Sequence, residues 1–131
     1  MRFNDLFQIV GHIHKNCPKA KIQLTTTGWP YFEYISKELS SLSLLQTAGL
    51  TDIYLSLTTL DKEIYGKVVR PGIPNYNSRA FEESIQFATS ARDLGIRVTL
   101  GFINLPGTKE ADVKKFAETM KINYKIRELE K

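Results

Sequence analysis

The 131-residue sequence contains one cysteine, Cys17, and that scarcity excludes more chemistry than any other feature of its composition. A lone thiol closes no intrachain disulfide, and zinc or iron–sulfur centres take about four ligands, so no metal site is expected within this chain. Also missing is any run of ~20 apolar residues, the length a membrane-spanning helix needs. The opening stretch MRFNDLFQIVGHIHKN is amphipathic and carries the acidic Asp5, which fits neither a signal nor a transit peptide. A cytoplasmic protein without membrane contact is expected. There is no low-complexity segment, and neither G-x-x-x-x-G-K-[ST] nor G-x-G-x-x-G occurs, so the glycines of RPGIP and LPGTK lack the context of a phosphate-binding loop.

What remains is an ordinary globular composition, 42% hydrophobic and 24% charged, in a length that suits one domain over residues 1–131. The net charge is +4, from 18 basic and 14 acidic residues. The basic residues are scattered, densest toward the C-terminus, and read as a solvated surface; nucleic-acid binding is not expected.

Periodicity supplies the fold class. Phe3, Leu6, Phe7, Val10 and Ile13 recur at three- and four-residue steps, predicting a helix with one apolar face that Cys17-Pro18 stops. A short strand follows around residues 22–26, then a helix with Ile35, Leu39, Leu42 and Leu45 toward the core, closed by Gly49. DIYLSL is a continuous apolar run, as in a parallel sheet covered by helices. Asp61 is placed to cap a short helix KEIYGKVV, and Asn77 to cap a longer one carrying Phe81, Ile85, Ala88 and Leu94, ended by Gly95. RVTLGFINLPG is the third strand, Thr108 is expected to cap the helix bearing Val113, Phe116, Ala117 and Met120, and NYKIREL is the fourth strand. In that last strand Tyr124, Ile126 and Glu128 share one face and Lys125 and Arg127 the other. Strands alternating with helices predict an α/β fold with a parallel sheet, either a small doubly wound sheet or an arc of a (β/α) barrel.

In both folds ligands bind at the carboxyl ends of the strands. Polar residues collect there: Thr25, Thr26 and Thr27 after the first strand, Ser56, Thr58 and Thr59 after the second, Asn104 after the third and Glu128 after the fourth. Any one of them reads as a strand end or a cap; the repetition at equivalent ends reads as a binding rim. Other groups are less promising. His12 and His14 stand two apart on a helix, not at the three- or four-residue spacing of a metal pair. Cys17 reads as a plain thiol, with no base evident for a nucleophile. Glu82, Glu83, Glu110 and Asp112 sit near helix starts, where carboxylates suit the macrodipole. Trp29, Tyr31, Phe32 and Tyr34 form an aromatic cluster suited to core packing or to a cap over a barrel mouth.

The stretch LTTTGWPYFEYISKELSSLSLLQTAGLTDIYLSLTTLDKEIYGKVVRPG resembles the later part of the radical S-adenosylmethionine (radical SAM) barrel. There a strand ending in Thr-Asn-Gly leads through a helix and a Gly-Leu turn to a strand of the form Val-Ser-Leu-Asp. RVTLGFINLPGTKEADVKKFAETMKINYKIREL resembles the next strand, its Leu-Pro-Gly turn, and the last helix and strand. Within the superfamily the resemblance is closest to the TatD-linked radical SAM proteins. It implies S-adenosylmethionine as cofactor, with Ser56 beside its amino-acid moiety, Thr25 and Thr26 on the cofactor and substrate rim, Arg70 pairing with a carboxylate, and Leu105 and Pro106 packing beside the adenine. The sequence departs from the family at Thr27, where Asn is usual, and at Thr59, near a usual Asp or Asn. The Cys-x-x-x-Cys-x-x-Cys loop that holds the [4Fe–4S] cluster is absent, as is the Gly-Gly-Glu-like strand end. Residues 1–6 resemble the helix that follows that second motif.

The expectation is therefore the C-terminal portion of a barrel, about four strands, truncated relative to the family and inactive alone, with the cluster present only in a full-length form. A four-strand arc exposes two sheet edges and an inner face, so a homo-oligomer or docking of a missing N-terminal portion is expected. The alternative is a non-catalytic partial-barrel module that binds a partner or self-associates. The substrate is not legible.

Overall fold

A computed structural model describes residues 3–26, 41–61 and 80–128. They form four strands and four helices: α1 (Phe3–Asn16), β1 (Gln23–Thr26), α2 (Ser41–Ala48), β2 (Asp52–Thr58), α3 (Ala80–Asp93), β3 (Arg97–Asn104), α4 (Glu110–Met120) and β4 (Asn123–Glu128). The sheet order is β1-β2-β3-β4, and every neighbouring pair is parallel. Sequence order and spatial order coincide, so right-handed crossovers send each helix to the same face. A doubly wound sheet reverses its order at a switch point and covers both faces. The choice that the sequence pattern left open thus falls to a partial α/β parallel barrel.

Alternation along the strands separates the two faces. Ile53, Leu55 and Leu57 of β2 and Val98, Leu100 and Phe102 of β3 are all buried and belong to one apolar cluster with Leu42 and Leu45 of α2, Phe81, Phe87, Ala88 and Ala91 of α3, and Val113 of α4. Each such Leu or Phe contributes about 1.5–3 kcal/mol relative to an exposed position. The other face carries Gln23 and Thr25 of β1, Asp52, Tyr54 and Ser56 of β2, Arg97, Thr99, Gly101 and Ile103 of β3, and Asn123, Lys125 and Arg127 of β4, as the pairing register requires. In a barrel this is the interior face.

The helices follow their sequence signals with two corrections. Helix α1 ends before Cys17-Pro18, and α2 ends at Gly49, whose φ of +128° suits glycine. A Cβ at Gly49 would collide with His14, so this glycine also lets α1 approach α2. Leu94 does not face the core: it lies beyond the last turn of α3, is 37% exposed, and gives its carbonyl to the Gln46 side chain. Phe87 and Ala91 fill the core positions instead. Thr108 does not cap α4. The N-cap is Lys109, extended and without a side-chain cap bond, while Thr108 Oγ1 accepts from the Leu105 N–H at 3.1 Å and fastens the preceding turn. On α1, Val10 is buried but Phe7, Ile9 and Ile13 are exposed, so its apolar stripe is only partly used within the described residues. Ile35, Leu39, the Trp29 aromatic cluster, the KEIYGKVV helix, Arg70 and Asn77 lie outside the described residues.

Candidate functional site

The inner face has two ends of different character. At the amino ends of the strands, the Asp52 carboxylate is buried and meets Lys21 Nζ at 3.5 Å and Arg97 Nε at 3.8 Å. The Thr51 hydroxyl donates to Asp52 at 2.6 Å and accepts from the Ile22 N–H at 2.9 Å, tying β1 to β2 there. Two cations share one buried carboxylate at this end. A barrel interior filled for stability holds bulky branched side chains. Here the upper positions are Ser56, Thr25, Thr99, Lys125 and Arg127, with Ile103 the one branched aliphatic among the inner-face strand residues. A surface of that composition suits a polar ligand rather than a packed core.

Tyr54 and Gly101 shape the middle of this face. Gly101 pairs with Ser56 on one side and Lys125 on the other. The Tyr54 side chain lies over it: a Cβ at Gly101 would collide with the Tyr54 ring and hydroxyl. From β4, two strands away, the Arg127 guanidinium reaches back over the same ring, 4.9 Å from its centroid. Tyr54 is 8% exposed, seated over Gly101 and in contact with the guanidinium of the exposed Arg127.

The end of β2 is bent. The pairing with β3 shifts between Ser56 and Thr58, so Leu57 is the extra residue of a bulge. Thr58 has a φ of +75°, rare for a β-branched residue, and the Thr59 N–H donates to the Leu57 carbonyl at 2.9 Å across it. Thr59 Oγ1 in turn accepts from the Asp61 N–H at 3.0 Å. The polar tail of β2 is thus a tight turn that aims the chain away from Ser56. Beside it a cavity of about 270 Å³ lies between this turn and the β3–α4 loop, lined by Thr59, Asp61, Phe102, Pro106, Lys109 and Asp112 among others.

The residues singled out in the sequence are only partly brought together. Ser56 is half-buried on the inner face; Thr25 is exposed on that face and pairs with Tyr54, one step from Ser56. Thr26 pairs with Leu55 and so belongs to the helix face. Pro106 is exposed and lines the cavity, Leu105 is half-buried next to it, and Arg70 lies outside the described residues. Asn104 and Glu128 meet, the amide donating to both carboxylate oxygens at 3.1 and 3.2 Å. Cys17 is exposed in the α1–β1 connection, at the opposite end of the sheet from the rim. Sequence reading passed over Tyr54, Gly101 and Arg127; the signal available was a glycine in the middle of a strand, which marks close approach of another group.

The chain is similar to the probable GTP 3',8-cyclase of Pyrobaculum aerophilum, with 35% identity over 103 residues. That likeness supports the radical SAM superfamily. The match takes in 79% of this chain but 29% of the relative, so the chain spans less than a third of that protein's length. No protein-family model matches. Among the described residues no helix is long and apolar enough to cross a membrane, and no group of three or more His, Cys, Asp or Glu is arranged to hold a metal ion.

Proposed function

We propose that this chain is the C-terminal portion of a radical SAM barrel and supplies part of the wall that binds S-adenosylmethionine and substrate. The observation that carries this reading is the sequentially ordered parallel sheet with an apolar helix face and a polar inner face. The TatD-linked resemblance and the likeness to a probable GTP 3',8-cyclase leave the substrate of the whole barrel open, and the second favours a nucleotide. In this reading Ser56 presents its hydroxyl to the amino-acid moiety of the cofactor, Thr25 borders the same rim while Thr26 turns to the helix face, Arg70 pairs with a carboxylate, and Leu105 and Pro106 flank the adenine.

The residues present do not fit an iron–sulfur cluster. Such a cluster needs several thiolates, and the one cysteine sits away from the rim. Reductive cleavage of S-adenosylmethionine is therefore assigned to the whole barrel and not to this chain, whose own residues bind and orient. The DNA upstream of the Met1 codon tests this reading. An in-frame segment with a three-cysteine motif is the expected result; a stop codon in that frame would instead leave a non-catalytic module.

A second reading, self-association of this chain, is favoured by a specific observation. Within the described residues β1 and β4 each pair on one side only, and Phe7, Ile9 and Ile13 of α1 are 37%, 47% and 39% exposed. Light scattering on the purified chain is expected to show dimers or larger species; a monomer at every concentration would set this reading aside.

A further inference from the structure

We infer that Arg127 is a preset oxyanion-binding group on the inner face, held ready by Tyr54 across the gap left by Gly101. Three observations carry this. First, among the described residues Arg127 has no carboxylate partner; the one contact of its guanidinium is the Tyr54 ring at 4.9 Å. At the other end of the same face, by contrast, Lys21 and Arg97 share the Asp52 carboxylate. Second, the guanidinium lies over the ring and its N–H donors make no hydrogen bond among the described residues, so they are available to a bidentate oxyanion. Third, the neighbours suit an anion. Gly101, over which the Tyr54 ring sits, pairs with Ser56 and Lys125, and neither of these has an acidic partner among the described residues.

The ring platform restricts the arginine without an ion pair. A long side chain loses rotamer entropy when a ligand fixes it, and contact with the Tyr54 face lowers that loss. The ligand chemistry is an oxyanion, the phosphate of a nucleotide or the carboxylate of an amino-acid moiety, and the inference does not depend on whether S-adenosylmethionine binds.

Titration of the full chain with inorganic pyrophosphate and, separately, with malonate at constant ionic strength tests this, followed by NMR at the Arg127 Nε–H and the Tyr54 ring. Saturable shifts at both groups are expected with at least one probe. The probe that saturates at the lower concentration identifies phosphate or carboxylate as the source, and either result supports the site. Arg127→Gln is expected to weaken binding about tenfold, and Arg127→Lys, which keeps the charge but loses the fork, about threefold or more. Gly101→Ala, which displaces Tyr54, is expected to weaken binding with Arg127 intact. Lys114→Gln, on the exposed side of α4, is expected to change nothing. Linear, non-saturating shifts with both probes, or equal affinity in wild type and Arg127→Gln, would overturn the inference.

Discussion

The two faces of this sheet share the same central strands, of seven and eight residues, and yet do opposite things. On the helix face Leu55, Leu57 and Leu100 are fully buried among side chains from α2, α3 and α4. On the inner face the central strands alternate into Asp52, Tyr54, Ser56, Arg97, Thr99 and Gly101, and the upper part makes few bonds of its own. The helix face carries most of the folding free energy. The inner face depends for stability on fewer contacts, chiefly Tyr54 over Gly101 and the buried Asp52, and its upper positions are freer to vary in chemistry. Within the inner face the two ends differ as well: at the lower end Lys21 and Arg97 pair with Asp52, and the upper end presents cations and hydroxyls with no acidic partner among the described residues.

Substitutions on each face should separate these roles. The largest effect is expected for Leu100→Ala, which empties a fully buried position between β3 and the helices and should cost about 2–5 kcal/mol in chemical denaturation. Gly101→Ala lies one residue away but on the opposite face. It forces Tyr54 off its seat, with an expected loss of about 1–3 kcal/mol. Asp52→Asn should cost about 1 kcal/mol. Its partners Lys21 and Arg97 are well exposed and gain little from the ion pairs, so the loss comes mainly from the buried carboxylate's hydrogen bonding to Thr51. The smallest stability change is expected for Ser56→Ala, within about 0.5 kcal/mol. A large destabilisation by Ser56→Ala would mean that the inner face is structural after all.

How much of this was legible in the sequence varied with the kind of physics involved. Strand and helix order followed from local periodicity and from stop signals such as Cys17-Pro18, Gly49 and Gly95, because those signals act on the chain where they stand. The choice between a barrel arc and a doubly wound sheet did not follow, since it depends on which strands are neighbours. Leu94 was placed on the helix because the apolar repeat runs one step past it; the helix ends at Asp93, and Leu94 already belongs to the turn that Gly95 completes. Thr108 was a natural cap by residue type, but the Leu105 N–H had the nearer claim on its hydroxyl.

The inner-face site was hidden for a more instructive reason. IYLSL reads as a strand buried on both sides, and all but Ser56 is, yet Tyr54 seats over Gly101, where no side chain stands, and meets Arg127 from two strands away. Such a contact leaves no periodic trace. Ser56 was found because a hydroxyl in an apolar run stands out. Thr25 and Thr26 were read together, and only the pairing register shows that they face opposite sides of the sheet.

The measurement that bears most directly on the central claim is a map of backbone amide shifts across the full chain during titration with S-adenosylmethionine. The account predicts weak binding, with shifts gathered at the carboxyl ends of the strands, around Thr25, Ser56, Thr59 and the loop from Leu105 to Thr108. Shifts confined to the outer surfaces of the helices or to the Asp52 end of the sheet would contradict it.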